Sequence, residues 1–229
     1  MIVRVVAATA CVVMIFGSTL HAQDLSRYRN FELGSSLAAV ATTASVAPSD
    51  AKTLHRRPSV LQDLEWRPSR WTVESSAPSN DSVEQVVFSF YDDQLFRVVV
   101  DYGRDRTEGM TPADLIEAIS EAYGAPAART ANVRAASRTE AASGTPLARW
   151  EDGGHTVVLY RTATYRETFR VIVTSVALEA KARKAETESL RLDERDAPQR
   201  EIARQKQEKD DVLAAAAKAR LANKKVFKP

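Results

Sequence analysis

Hydrophobic residues recur with two different spacings along this chain, and the spacing changes mark the elements. Val86, Phe88 and Phe90 alternate with other residues, Asp92-Asp93 interrupts, and Phe96, Val98, Val100 and Tyr102 resume the alternation. Side chains on a strand point to opposite faces in turn, so this predicts a β-hairpin whose even-numbered residues share one buried face. Val98 then belongs to the core and Arg97 to the opposite, tolerant face. Further strands are expected at Leu147 to Trp150, His155 to Arg161 and Phe169 to Val176, with Phe169, Val171 and Val173 on one side.

Two stretches read as helices instead. Leu37, Val40, Ala41 and Ala44 stand at i, i+3, i+4 and i+7 behind a serine suited to cap a helix. Thr111-Pro112-Ala113-Asp114 opens a second helix with a cap, a proline at the first position and an acid three residues after the cap. Leu115, Ile119, Ala122 and Tyr123 are its expected buried stripe, and Gly124 with Pro126 ends it. Val60 to Trp66 reads as a short strand or turn of helix leading to Trp71. Residues 127–146 are polar and aperiodic, as in a mobile loop.

The order of these elements repeats. Gly34-x-Ser36-x-Ala38-x-Val40 and Gly109-x-Thr111-x-Ala113-x-Leu115 match 75 residues apart. Each precedes a tryptophan-bearing segment, Leu64-Glu65-Trp66 or Ala148-Arg149-Trp150, and then two strands. The pattern predicts an α+β core of two helix-plus-antiparallel-sheet units, about 25–105 and 106–176, within residues 23–176.

Composition then changes. Residues 23–176 carry 17 basic and 20 acidic side chains with a single lysine, Lys52, whereas 177–229 carry 14 basic and 10 acidic and are rich in lysine. That final segment consists of strong helix formers. Pro198 after Asp196-Ala197 predicts two helices, about 177–195 and 198–224, since proline disfavours helix at the residue before it and an aspartate can cap a new one. Its large apolar residues, from Leu178 and Leu190 to Val226 and Phe227, never settle into the alternating three and four of a coiled-coil seam. A charged tail that projects from the core is therefore expected, with Leu178 the last residue to dock.

At the other end, Arg4, the apolar run Val5 to Phe16 and Leu20-His21-Ala22 form the three parts of a secretory signal, with cleavage expected after Ala22. A membrane anchor is the alternative, but twelve residues fall short of the roughly 20 a spanning helix needs. The expected location is periplasmic or secreted. The only cysteine, Cys11, lies in that segment, so the mature chain would hold no disulfide, thiolate nucleophile or cysteine metal site.

Candidate chemistry is sparse. His55 and His155 follow no metal-ligand spacing, and no nucleophile elbow or phosphate-binding glycine motif occurs. No cofactor is expected. Asp92 and Asp93 are paired carboxylates, but neighbouring strand residues point apart and aspartate favours turns. His155 after Glu151-Asp152-Gly153-Gly154 reads as a hairpin residue before an acid–imidazole site. Trp66 and Trp150 read as core. Trp71, in a polar segment, and the basic pair Arg56 and Arg57 are the candidate partner-binding residues. Acids interleaved with bases in the tail argue against nucleic acid.

The Gly-x-Ser/Thr-x-x-x-Val/Leu helix closed by Gly-x-Pro (Gly109 to Pro126) and followed by antiparallel strands resembles the unit of SmpA/OmlA-type outer-membrane-assembly lipoproteins. In tandem it resembles β-lactamase inhibitor protein. Gly34 to Ala44 lacks the closing Gly-x-Pro, and the chain has neither a lipobox cysteine nor the inhibitor's disulfide cysteines. The resemblance implies an exported binding fold. The expectation is a non-catalytic module that binds another envelope or secreted protein through its sheet or tail. The alternatives are a small-ligand binder or hydrolase-like enzyme using a cleft between the units, and a structural spacer whose tail contacts the cell wall or a membrane surface.

Overall fold

A computed structural model describes residues 24–68, 71–72, 75–78, 81–127, 144–163, 167–226 and 228, with side chains described outside 69–80 and 163–167. The expected signal and most of the expected loop lie outside these residues. The elements in chain order are β1 (Arg27–Tyr28), β2 (Phe31–Glu32), α1 (Leu37–Ala44), a 3-10 turn (Pro48–Asp50), β3 (Lys52–His55), β4 (Leu61–Trp66), β5 (Trp71–Thr72), β6 (Ser75–Pro78), β7 (Val83–Tyr91), β8 (Gln94–Tyr102), α2 (Arg104–Thr107), α3 (Pro112–Tyr123), β9 (Thr145–Glu151), β10 (His155–Ala163), β11 (Glu167–Ser175) and α4 (Val176–Val226).

The fold is α+β. Seven strands form one antiparallel sheet in the order β3-β4-β7-β8-β11-β10-β9, beside the small pairs β1-β2 and β5-β6. Apart from edge strand β3, the order reads symmetrically about the β8–β11 pair. Helix α1 precedes β4, β7 and β8; helix α3 precedes β9, β10 and β11. Each half is one helix and a three-stranded meander, and the two meanders join edge to edge into one sheet. Neither half alone could cover its apolar face, which is why both contribute to one core.

Both helices start as their sequences dictate. Gly34 and Gly109 hold positive φ, +92° and +79°, two residues ahead of the caps. Ser36 Oγ accepts from the Ala39 amide, and Thr111 and Asp114 form a reciprocal capping box. Leu37, Val40, Ala41 and Ala44 are all buried. On α3 the buried residues are Leu115 and Ile119, joined by half-buried Ile116 and Tyr123; Ala122, expected inside, is exposed. These helices and the β1–β2 pair cover the inner sheet face, where Leu64, Phe88, Val98, Val157, Val171 and Trp150 are essentially solvent-free.

The β7–β8 pairing shifts register at two points, between Val83 and Gln85 at its open end and between Ser89 and Phe90 near the turn, and the second changes which residues face the core. Phe88 pairs with Val98 and Ser89 with Arg97, but Phe90 pairs with Leu95, so β8 carries one extra residue at Phe96. A bulge of this kind shifts the face of every residue beyond it. Leu95 thereby joins the inner core, and Phe96, expected there, turns to the outer face with Leu61 and Ala182. The turn needs positive φ at both central residues, and Asp92 and Asp93 supply it at +44° and +65°.

The outer face is not free. Helix α4 leaves the end of β11 and crosses it, so Arg97, expected on a tolerant surface, lies beneath the helix with a side chain only 19% exposed. The expected break at Pro198 is also absent: Val176–Val226 is one helix containing the proline.

Candidate interaction surface

Helix α4 divides into a docked root and a free arm. Leu178, Ala182, Ala185, Ser189, Leu192 and Asp196 fall at spacings of 4, 3, 4, 3 and 4, a continuous helical stripe. Ala182, Ala185 and Ser189 are buried, and Leu178, Leu192 and Asp196 are half-buried. Docking therefore extends well past Leu178. The stripe is built of small side chains, which let the helix backbone approach the sheet where Leu61 and Phe96 project.

Polar contacts fix the root. Glu179, 8% exposed, receives the Arg183 Nε–H at 3.0 Å and lies 3.6 Å from Arg97 Nη1, whose guanidinium sits 5.1 Å over the Phe96 ring. Glu179 Oε2 and Arg97 Nε are buried with no hydrogen-bond partner among the described residues. His55 Nδ1 and Ser189 Oγ are 2.7 Å apart. Arg57 reaches Asp196 Oδ2 at 2.7 Å and Asp193 Oδ1 at 3.6 Å, while Arg200 donates to Asp193 at 2.6 Å. Arg57 and then Arg195 hold the Asp196 carboxylate below its ordinary pKa; Arg200 and then Arg57 do the same for Asp193.

This cluster straddles Pro198. The proline removes the amide that would bond the Glu194 carbonyl, a loss costing about 3 kcal/mol in a helix interior. Here Glu194 is exposed, so water can take that carbonyl. Asp196 spends its side chain on Arg57 rather than capping a new helix, and Arg200 ties the segment after the proline to Asp193 before it. The helix continues through.

Beyond Asp196 every described residue of α4 is exposed. Gln199 to Val226 extends roughly 40 Å at 1.5 Å per residue. It displays Ile202, Val212, Leu213, Leu221 and Val226, each 64–74% exposed.

Arg57 is thus committed to α4. Arg56 is exposed and makes no polar contact among the described residues. Trp71 lies in β5, its side chain outside the described set. Trp66 packs on Phe31 and Phe88, and buried Trp150 donates from Nε1 to the Gly124 carbonyl at 2.7 Å, tying the end of α3 to β9. Both are core, as their sequence context predicts.

The candidate chemical groups serve turns. Asp93 Oδ1 accepts from the Leu37 amide at the start of α1, and Asp92 Oδ1 from the Val60 amide. Asp152 Oδ1 accepts from the Gly154 and His155 amides, with its other oxygen 3.3 Å from His155 Nδ1. The Asp93 and His155 turns lie at the same end of the sheet but three strand spacings apart, about 14 Å. That distance brings them to no common centre. Among the described residues no three His, Cys, Asp or Glu side chains gather as a metal site, and no helix is long and apolar enough to cross a membrane. Sequence reading passed over Ser189 and Asp193, and gave His55 no role and Asp196 that of a helix cap; the small-residue stripe was the signal that could have found their contacts.

The fold and this surface define an α+β protein whose symmetric sheet carries two helices on one face and the root of a projecting helix on the other. Comparison with protein families, curated proteins and solved structures finds no match.

Proposed function

We propose that this protein is a non-catalytic binding module of the cell envelope, periplasmic or secreted, that engages another exported protein through the free arm of α4. The observation that carries the reading is the exposed helical segment after Asp196, held in one direction by the docked root. An isolated helix of this length is marginal in water and gains most of its stability from packing an apolar face. The arm's aliphatic residues pack on nothing among the described residues. Both faces of the sheet carry helices, which leaves the arm as the principal uncovered element. The signal-like pattern at residues 1–22 supports export, and the resemblance to exported helix-and-hairpin binding proteins supports a binding habit.

A photo-cross-linking residue placed at Ile202, in cells expressing the full chain, tests this. A single adduct of defined mass is expected from Ile202, and none from Lys52 on edge strand β3. Ala203→Asp, placed beside the cross-linker, should abolish the adduct without shifting the melting temperature. Adducts from Lys52 and none from Ile202 would transfer the binding role from the arm to the sheet edge.

A further inference from the structure

The arm changes character at Asp211. From Gln199 to Asp211 it carries four basic and four acidic residues. From Val212 onward there is no acid, and Lys218, Arg220, Lys224, Lys225 and Lys228 stand alone. Between Val212 and Val226, ten of fifteen residues are Ala, Val or Leu. All fifteen are exposed. None of the four basic residues in that stretch forms an ion pair among the described residues, whereas Arg200 and Arg204 earlier in the arm do.

At 100° per residue, Lys218, Arg220, Lys224 and Lys225 fall within a sector of about 160°. Val212, Ala215, Ala216, Ala219 and Val226 fall within a separate sector of about 100° on the other side. Leu213 and Leu221 lie among the basic residues. Apart from Asn223, which falls in the valine and alanine sector, the segment is thus apolar outside one cationic stripe.

We infer that residues 212–226 form an interfacial helix that lies on an anionic phospholipid surface. Such a surface accepts both halves of this pattern. Acyl chains near the headgroups take the valine and alanine sector, and lysine and arginine stems extend along the apolar surface while their charges reach the phosphates. A nucleic acid would satisfy the charges but leave ten apolar side chains in water. An acidic protein groove remains a different partner, one that lipid vesicles cannot mimic. The segment is too short and too charged to cross the bilayer, so the contact lies in the plane of the surface and is reversible. This goes beyond the protein-binding reading of the arm, which is tested at Ile202 in the charge-balanced stretch before Asp211.

The test is co-sedimentation of the purified full chain with phosphatidylcholine vesicles that contain or lack phosphatidylglycerol. Binding is expected only with phosphatidylglycerol, and should fall steeply as salt is raised. Each Lys or Arg near such a surface contributes about fivefold in affinity, so Lys224→Gln with Lys225→Gln should weaken binding about 25-fold. Val212→Asn with Val226→Asn should weaken it as well, because the apolar sector no longer inserts. Equal melting temperatures for all variants establish that the core is intact, as exposed arm positions require. No binding, or equal binding to both vesicle types, overturns the inference. So does binding to a DNA duplex of equal strength that the valine substitutions leave unchanged. None of these outcomes bears on cross-linking at Ile202, which needs no lipid.

Discussion

Cutting α4 at two places separates its root from its arm. A chain ending at residue 180 keeps Leu178 but loses Ala182, Ala185 and Ser189 from the outer sheet face. Leu61 and Phe96, now 6% and 4% exposed, would each regain about half their surface. Full burial of such side chains contributes about 1.5–3 kcal/mol apiece, so half of two amounts to about 2 kcal/mol. Loss of the His55–Ser189 hydrogen bond adds about 1 kcal/mol. A total near 3 kcal/mol corresponds, for a domain of this size, to a fall of roughly 6–12 °C in melting temperature. A chain ending at residue 197 keeps every one of these contacts and should melt within about 2 °C of the full-length protein. Circular dichroism melts of the three chains decide it, with dye binding as a second probe for newly exposed Phe96. If the shorter chain melts with the full-length protein, the helix root does not cover the sheet. If the 197 chain falls as far as the 180 chain, the arm packs on the core and is not free.

Val98→Asp places a charge at a solvent-free site on the inner face and should cost more than about 4 kcal/mol, read from the urea midpoint. Arg97→Asp should also destabilise, by about 3 kcal/mol, because it leaves Glu179 buried against a second acid; replacing both partners by Met and Leu should be nearly neutral. Asp93→Ala should lose about 2 kcal/mol, half from the Leu37 amide contact and half from positive φ, while Asp93→Asn loses under about 0.5; equal losses would refute this division. Asp193 and Asp196 titrate below their unfolded values, so their hold on Arg57 is complete above the ordinary carboxylate pKa of about 3.9 and is lost as pH falls through the lowered values. Spin labels at Arg56→Cys and Gln199→Cys should report one short distance from neutral pH down to about 4 and a broadened one only as pH falls below the ordinary carboxylate range; a distribution that is broad already at neutral pH would refute the contact.

Where local signals and packing agreed, the fold was legible in the sequence. The buried face of α1, the capping of α3, the hairpin turn and the two equivalent halves all follow from spacing and turn chemistry that act within a dozen residues. Three features did not follow. The bulge at Phe96 is invisible to alternation, because one inserted residue leaves Leu95 and Phe96 both apolar and only pairing decides which faces inward. The docking stripe of α4 was hidden because it consists of alanine and serine, which large-residue spacing ignores and which close helix–sheet contact favours. Arg57 stood out as a free cation because its partners, Asp193 and Asp196, lie more than 130 residues away. Its commitment to the helix is a property of the fold alone.

Those hidden contacts also explain how a sequence without a packing seam can sustain a projecting helix. Starting a helix is the unfavourable step, because several residues are fixed for the first hydrogen bond; each later residue adds a bond for one residue fixed. The root of α4 takes the starting cost where burial offsets it, on Leu61 and Phe96 and through Glu179, Ser189 and Asp196. The arm then only propagates, through alanine, lysine, glutamate and arginine, residues whose helix penalty is smallest. Weak pairs such as Glu201–Arg204 are sufficient for that. The proline falls at the junction, where the Arg57 and Arg200 contacts bracket it and Glu194, whose carbonyl loses its amide partner, is exposed. Placed in the middle of the arm, the same residue would have no bracketing contacts from the core and would break it. Position along the helix, more than propensity, is what turns a charged tail into a directed arm.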